Sequence, residues 1–113
     1  MGIKVLKNSE GIHIIEVQCN LDLMNSTTLK ELVMKMIGRK AERFIINLEK
    51  VESINSSGIG ALINISSTVK KLGLHLAFCN VNEPVINVLE TVNLSNYFPI
   101  TDNITEALEL VRK

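Results

Sequence analysis

The apolar positions of this chain change their period several times, and polar turns mark each change. Ile3 and Val5 alternate with polar residues, and Asn8-Ser9-Glu10-Gly11 then interrupts them. Ile12, Ile14, Ile15 and Val17 follow, so two strands joined as a hairpin are predicted. Ile14-Ile15 breaks strict alternation, which predicts either a bulge or burial on both faces of a central strand. Leu29, Leu32, Val33, Met36 and Ile37 fall at helical spacing and make one stripe. Asn25-Ser26-Thr27-Thr28 offers several N-caps for that helix, and Gly38 suits its end.

Phe44-Ile45-Ile46-Asn47-Leu48 is a nearly continuous apolar run, as a buried parallel strand would be. After a loop at 49–57 a second helix is expected to run to about Leu72, closed by Gly73. Residues 74–79 read as a third buried strand. Glu83-Pro84 opens a third helix with Val85, Val88, Leu89 and Val92 as its stripe. Phe98-Pro99-Ile100 is a short extended piece. A last helix is expected to start near Thr101-Asp102 and carries Ile104, Ala107, Leu108 and Val111. Strands alternating with helices predict an α/β domain spanning residues 1–113. Its sheet has four or five strands, mostly parallel with an N-terminal antiparallel hairpin, and about four helices cover it.

Composition adds an aliphatic core. Only 4% of the 113 residues are aromatic and Trp is absent, while Ile, Leu and Val number 14, 14 and 10. Lys plus Arg and Asp plus Glu both number 12, so no net charge favours a nucleic-acid backbone or an acidic membrane surface. No apolar run approaches the length of a bilayer span, and the chain opens on a strand pattern instead of a signal peptide's apolar core. Cys19 and Cys79 are too few for a disulfide framework, and both end apolar runs. Buried, reduced thiols in a cytoplasmic protein are expected.

The informative stretch is Val51-Glu52-Ser53-Ile54-Asn55-Ser56-Ser57-Gly58-Ile59-Gly60-Ala61. It joins a buried strand to a helix start. Asn and Ser there serve as ordinary N-caps in a tight turn. The same residues also place adjacent hydroxyls at a helix N-terminus, where free N–H groups favour an anion or a covalently held phosphate. The stretch lacks the third glycine of a dinucleotide fingerprint and the Gly-Lys-Ser/Thr of a P-loop. Ser56 and Ser57 are not in a Gly-x-Ser-x-Gly elbow, and His13 and His75 lie in strands with no residue to orient them as bases. No catalysis is expected, and no cofactor or metal is implied.

The order of elements and the stretch from Ile45 to Leu62 resemble the STAS domain, and more narrowly the single-domain bacterial anti-sigma factor antagonists. Val17-Gln18-Cys19-Asn20-Leu21-Asp22 is similar to that family's Gly-Glu/Asp-Ile/Leu-Asp turn, and residues 98–108 to its usual ending. Two positions depart from the pattern. Asn55 stands where the family has Asp, and Cys19 where it has the turn Gly.

The resemblance implies partner switching. The unphosphorylated protein would bind an anti-sigma factor that is also a serine kinase, phosphorylation of the first motif serine would end binding, and a serine phosphatase would restore it. That serine aligns with Ser56, and Asp22 aligns with the acid beside it. Leu21, Asp22, Met24, Ile54, Asn55, Ser57, Gly58 and Ile59 are the expected partner-contacting residues, with Leu23 adjoining. Those apolar residues left exposed would supply the apolar part of the contact. A monomer or weak dimer is expected. Alternatives are a STAS regulator of another output such as biofilm formation, a transporter-associated STAS protein, or a nucleotide- or anion-binding regulatory domain. The window 51–62 has no Lys or Arg, which disfavours an anion site.

Overall fold

The computed structural model describes residues 2–113. Its order is β1 (Ile3–Lys7), β2 (His13–Val17), α1 (Leu23–Gly38), β3 (Arg43–Asn47), α2 (Ser56–Lys71), β4 (His75–Cys79), α3 (Glu83–Thr91), β5 (Ile100–Thr101) and α4 (Ile104–Arg112). One five-stranded sheet forms in the order β1-β2-β3-β4-β5. β1 and β2 are antiparallel, and every later pair is parallel. The predicted mixed α/β sheet is therefore what the chain builds.

Asn8 makes the hairpin turn. Its Oδ1 accepts from the amides of Glu10 and Ile12, both at 2.9 Å, and Gly11 takes the left-handed φ of 80° that the turn requires. Register runs unbroken from Ile3↔Val17 to Lys7↔His13, so no bulge intervenes at Ile14-Ile15. Burial on both faces is the reason for that pair. Ile15 enters the larger core and Ile14 packs on the smaller one.

Each crossover steps to the next strand in the same direction. Right-handed crossovers of that kind put all their helices on one face. α1, α2 and α3 accordingly share a core with Ile15, Val17, Phe44, Ile46, Leu76 and Phe78. The alternate strand residues Ile45, Ala77 and Cys79 face the other way, joined by Ile12, and α4 covers them with Ala107 and Val111.

Several boundaries differ from the expectation. α1 begins at Leu23, not among 25–28, because Asp22 is its cap and accepts from the Asn25 amide at 2.8 Å. The left-handed residue after α1 is Lys40 (φ 73°), not Gly38, which is the last helical residue. β4 begins at His75, since Leu74 is still completing the turn after α2, its amide donating a hydrogen bond to the Val69 carbonyl. α4 starts at Ile104 with Asn103 as cap, because Thr101 belongs to β5 and its hydroxyl donates to the Phe78 carbonyl at 2.9 Å. Val92 falls just past α3 and is exposed.

Candidate functional site

Two loops meet at the C-terminal ends of β2 and β3. Leu21 and Ile54 form an isolated parallel bridge between them. The Leu21 amide donates to the Ser53 carbonyl, and the Asn55 amide donates to the Leu21 carbonyl, both at 3.3 Å. The next residue on each side caps a helix: Asp22 caps α1, and Asn55 caps α2 by accepting from the Gly58 amide at 3.1 Å. The bridge thus sets two helix N-termini side by side, and Asp22 beside Asn55.

Gly58 allows that approach. A Cβ there would stand 2.8 Å from the Leu21 carbonyl oxygen, 2.9 Å from the Leu21 Cβ and 2.5 Å from the Ile54 Cγ1. Only a residue without a side chain lets α2 sit against the bridge. Cys19 has a close glycine of its own: a Cβ on Gly2 would come within 2.6 Å of the Cys19 sulfur. The half-buried Cys19 thiol reaches the Gly2 carbonyl at 3.5 Å. Burial raises its pKa, with the Asp22 charge adding to the effect.

Asparagines hold the loop after β3. Asn20 Oδ1 accepts from the amides of Glu52 (2.9 Å) and Ser53 (3.2 Å), while Asn82 donates to the carbonyls of Glu49 (2.6 Å) and Val51 (3.0 Å). Sequence reasoning assigned neither Asn20 nor Asn82 a role. An asparagine between apolar runs reads as a turn residue, and its partners lie more than thirty positions away.

The expected contact residues separate by burial. Leu21 and Ile54 are 1% and 8% exposed, so their side chains belong to the core and fix the loops from beneath. Gly58 is buried, and Ile59 is half-buried against the same core. Asp22, Asn55 and Ser56 are exposed and Ser57 is half-buried. Leu23 and Met24, at the start of α1, are 66% and 79% exposed. A groove of about 220 Å³ runs between the helices, lined by Leu23, Ser26, Thr27 and Lys30 of α1 and Ser57, Gly60, Ala61 and Asn64 of α2. Lys30 is the one cation in its lining. The first turn of α2 carries no acidic residue.

The model of the STAS domain family matches residues 4–107 of this chain. The chain belongs to the STAS domain family. This STAS domain is 27% identical over 104 residues to the anti-sigma F factor antagonist of Paenibacillus polymyxa, covering 91% of this chain and 89% of that protein. A Thermotoga maritima crystal structure, provisionally named an anti-sigma factor antagonist, shares the STAS fold with a TM-score of 0.89. It is 28% identical and covers 98% of this chain and 95% of its own. The anti-sigma factor antagonist SpoIIAA has the same fold in its unphosphorylated form, with a TM-score of 0.82 at 18% identity and coverage of 98% and 96%. The phosphorylated form of SpoIIAA, from Bacillus, superposes with a TM-score of 0.75 at 16% identity and coverage of 96% and 97%. Among the described residues of this STAS domain, no helix is long and apolar enough to cross a membrane.

Proposed function

We propose that this STAS domain is a phosphorylation-regulated binding module of the anti-sigma factor antagonist type. In this reading the unphosphorylated form binds an anti-sigma factor that is also a serine kinase. Phosphorylation of Ser56 ends that binding, and a serine phosphatase restores it. The output is a sigma factor or another partner-switched pathway.

The observation that carries the reading is the position of Ser56. It is exposed, it is the first residue of α2, and the helix is already capped by Asn55. Its hydroxyl is therefore free of structural duty and open to a kinase. Exposed Leu23 and Met24 begin the neighbouring helix and supply apolar contact area. The remaining contact surface is Asp22, Asn55, Ser57 and the outer part of Ile59, with Leu21, Ile54 and Gly58 supporting it from within.

The switch needs no change of fold. A phosphate adds about −1.5 to −2 charge to a small loop. A partner closed over a neutral hydroxyl would have to desolvate that charge unpaired, and a few kcal/mol of such cost weakens binding roughly 100-fold or more. The same helix start stabilises the dianion in the free protein through its open N–H groups.

The test is mass spectrometry of the chain isolated from its own cell, with fragmentation to place any phosphate. One phosphate on Ser56 is expected, absent in Ser56→Ala. Binding to the co-expressed kinase should survive Ser56→Ala and weaken in Ser56→Asp. Phosphate on Ser57, or equal kinase binding by the Ala and Asp variants, would overturn the assignment.

A further inference from the structure

A second cleft, of about 310 Å³, lies on the same helix but away from the capped loops. Its walls are the C-terminal half of α2 and the segment that leads into β5. Val69, Leu76 and Phe98 make an apolar floor, all of them buried. Tyr97 stands at the rim, 41% exposed, and packs edge-on against Phe98 with centroids 5.1 Å apart. Phe98 in turn packs edge-on against Phe78 at 5.6 Å, so the aromatic wall is held from behind.

Two polar groups interrupt this surface. Ser66 lines the cleft and is 7% exposed, and its buried hydroxyl has no hydrogen-bond partner. Buried hydroxyls are ordinarily paired, and an unpaired one is costly. Lys70 follows one helical turn later on the same face of α2, is exposed, and makes no ion pair among the described residues. A cleft of this size with an apolar floor and a few polar groups around it is the form that small-molecule sites take.

We infer that the cleft between α2 and residues 96–99 binds a small aromatic monocarboxylate. The ring would lie on Phe98 and against Tyr97, where edge-on aromatic packing is favourable. The carboxylate would face the Lys70 ammonium, and rotation of the Ser66 side chain toward the cleft would let its hydroxyl donate to the carboxylate, giving it the partner it lacks. Ser66 is ten residues along α2 from Ser56, about 15 Å by helical rise, so this site and the serine loop are distinct surfaces.

The probe is 2-naphthoate, with neutral 2-naphthamide as comparator, titrated into the full chain at neutral pH and followed by amide chemical shifts. Saturable shifts are expected at Ser66, Val69, Lys70, Tyr97 and Phe98, with Leu23 and Ser56 unmoved. The amide should bind at least about tenfold more weakly, as loss of a charge-assisted hydrogen bond requires. Ser66→Ala and Lys70→Gln should each weaken naphthoate about tenfold. Their thermal melts should match or exceed the wild type's, since one removes an unpaired buried hydroxyl and the other is a surface change. No saturation, shifts centred elsewhere, equal binding of the neutral amide, or unchanged affinity in either variant would overturn the proposal. The comparison of acid with amide needs no variant and stands even if one fails to fold.

Discussion

A Cβ on Gly58 would stand 2.8 Å from the carbonyl oxygen of Leu21, closer than such atoms pack. That contact joins the α2 start to the loop before α1, and a side chain at residue 58 would force the two apart. Gly60, two residues on, has nothing within 4 Å of where its Cβ would be. The pair therefore separates packing from helix propensity. Gly58→Ala should destabilise by about 1–3 kcal/mol, as overpacking does. Gly60→Ala should stabilise by up to about 1 kcal/mol, the gain of Ala over Gly inside a helix. Urea titrations of both variants check this, and a stabilised Gly58→Ala would remove the close approach as an account of the glycine.

Capping falls to Asn55, not to the serine beside it. Asn55→Ala should cost about 1 kcal/mol. Ser56→Ala should stay within about 0.5 kcal/mol of the wild type. Ser56→Asp should gain about 0.3–1 kcal/mol, since it puts an acid into a first turn that has none. Thermal melts at low salt read all three. A large loss in Ser56→Ala would mean that the hydroxyl is structural.

Removing either asparagine clamp should loosen the loop from different ends. Asn20→Ala strands the amides of Glu52 and Ser53, so their hydrogen exchange should quicken relative to β3. Asn82→Ala frees two carbonyls and should cost about 1–3 kcal/mol. Asn82 makes no side-chain cap to α3, so that loss would be the loop's and not the helix's.

Cys79 lies buried beneath α4, where desolvation first and the Glu49 charge second push its thiol up from 9.0 to about 11. The unfolded chain gives up this proton at lower pH than the folded one. The thiol's contribution to stability is therefore complete below pH 9.0 and is lost as the pH climbs towards 11. Melts across that window should fall more steeply for the wild type than for Cys79→Ala. Parallel curves would show that the thiol does not titrate differently in the two states.

Much of this was legible in the chain. The hairpin followed from the Asn8–Gly11 turn, and the end of α2 from Gly73, which adopts φ 70°. The start of α1 was not legible, because four capping residues in a row follow the true cap, and Leu23-Met24 reads as loop when its exposure is unknown. Nor does spacing reveal which apolar loop residues turn inward. Leu21 and Ile54 do so because they pair with each other across thirty-three positions, a choice made by the folded sheet. Exposure of Ser56 beside a separate cap was legible only as far as the Asn-Ser-Ser order allowed.

The strands stand in space in the same order as in the chain. A nascent polypeptide can therefore add each strand beside the one just made, with no gap held open for a later arrival. Among the described residues, the hydrogen bonds around the Ser56 loop all come from residues up to 82. The loops around Ser56 are thus assembled while α4 is still to be synthesised, and α4 then closes the opposite face of the sheet.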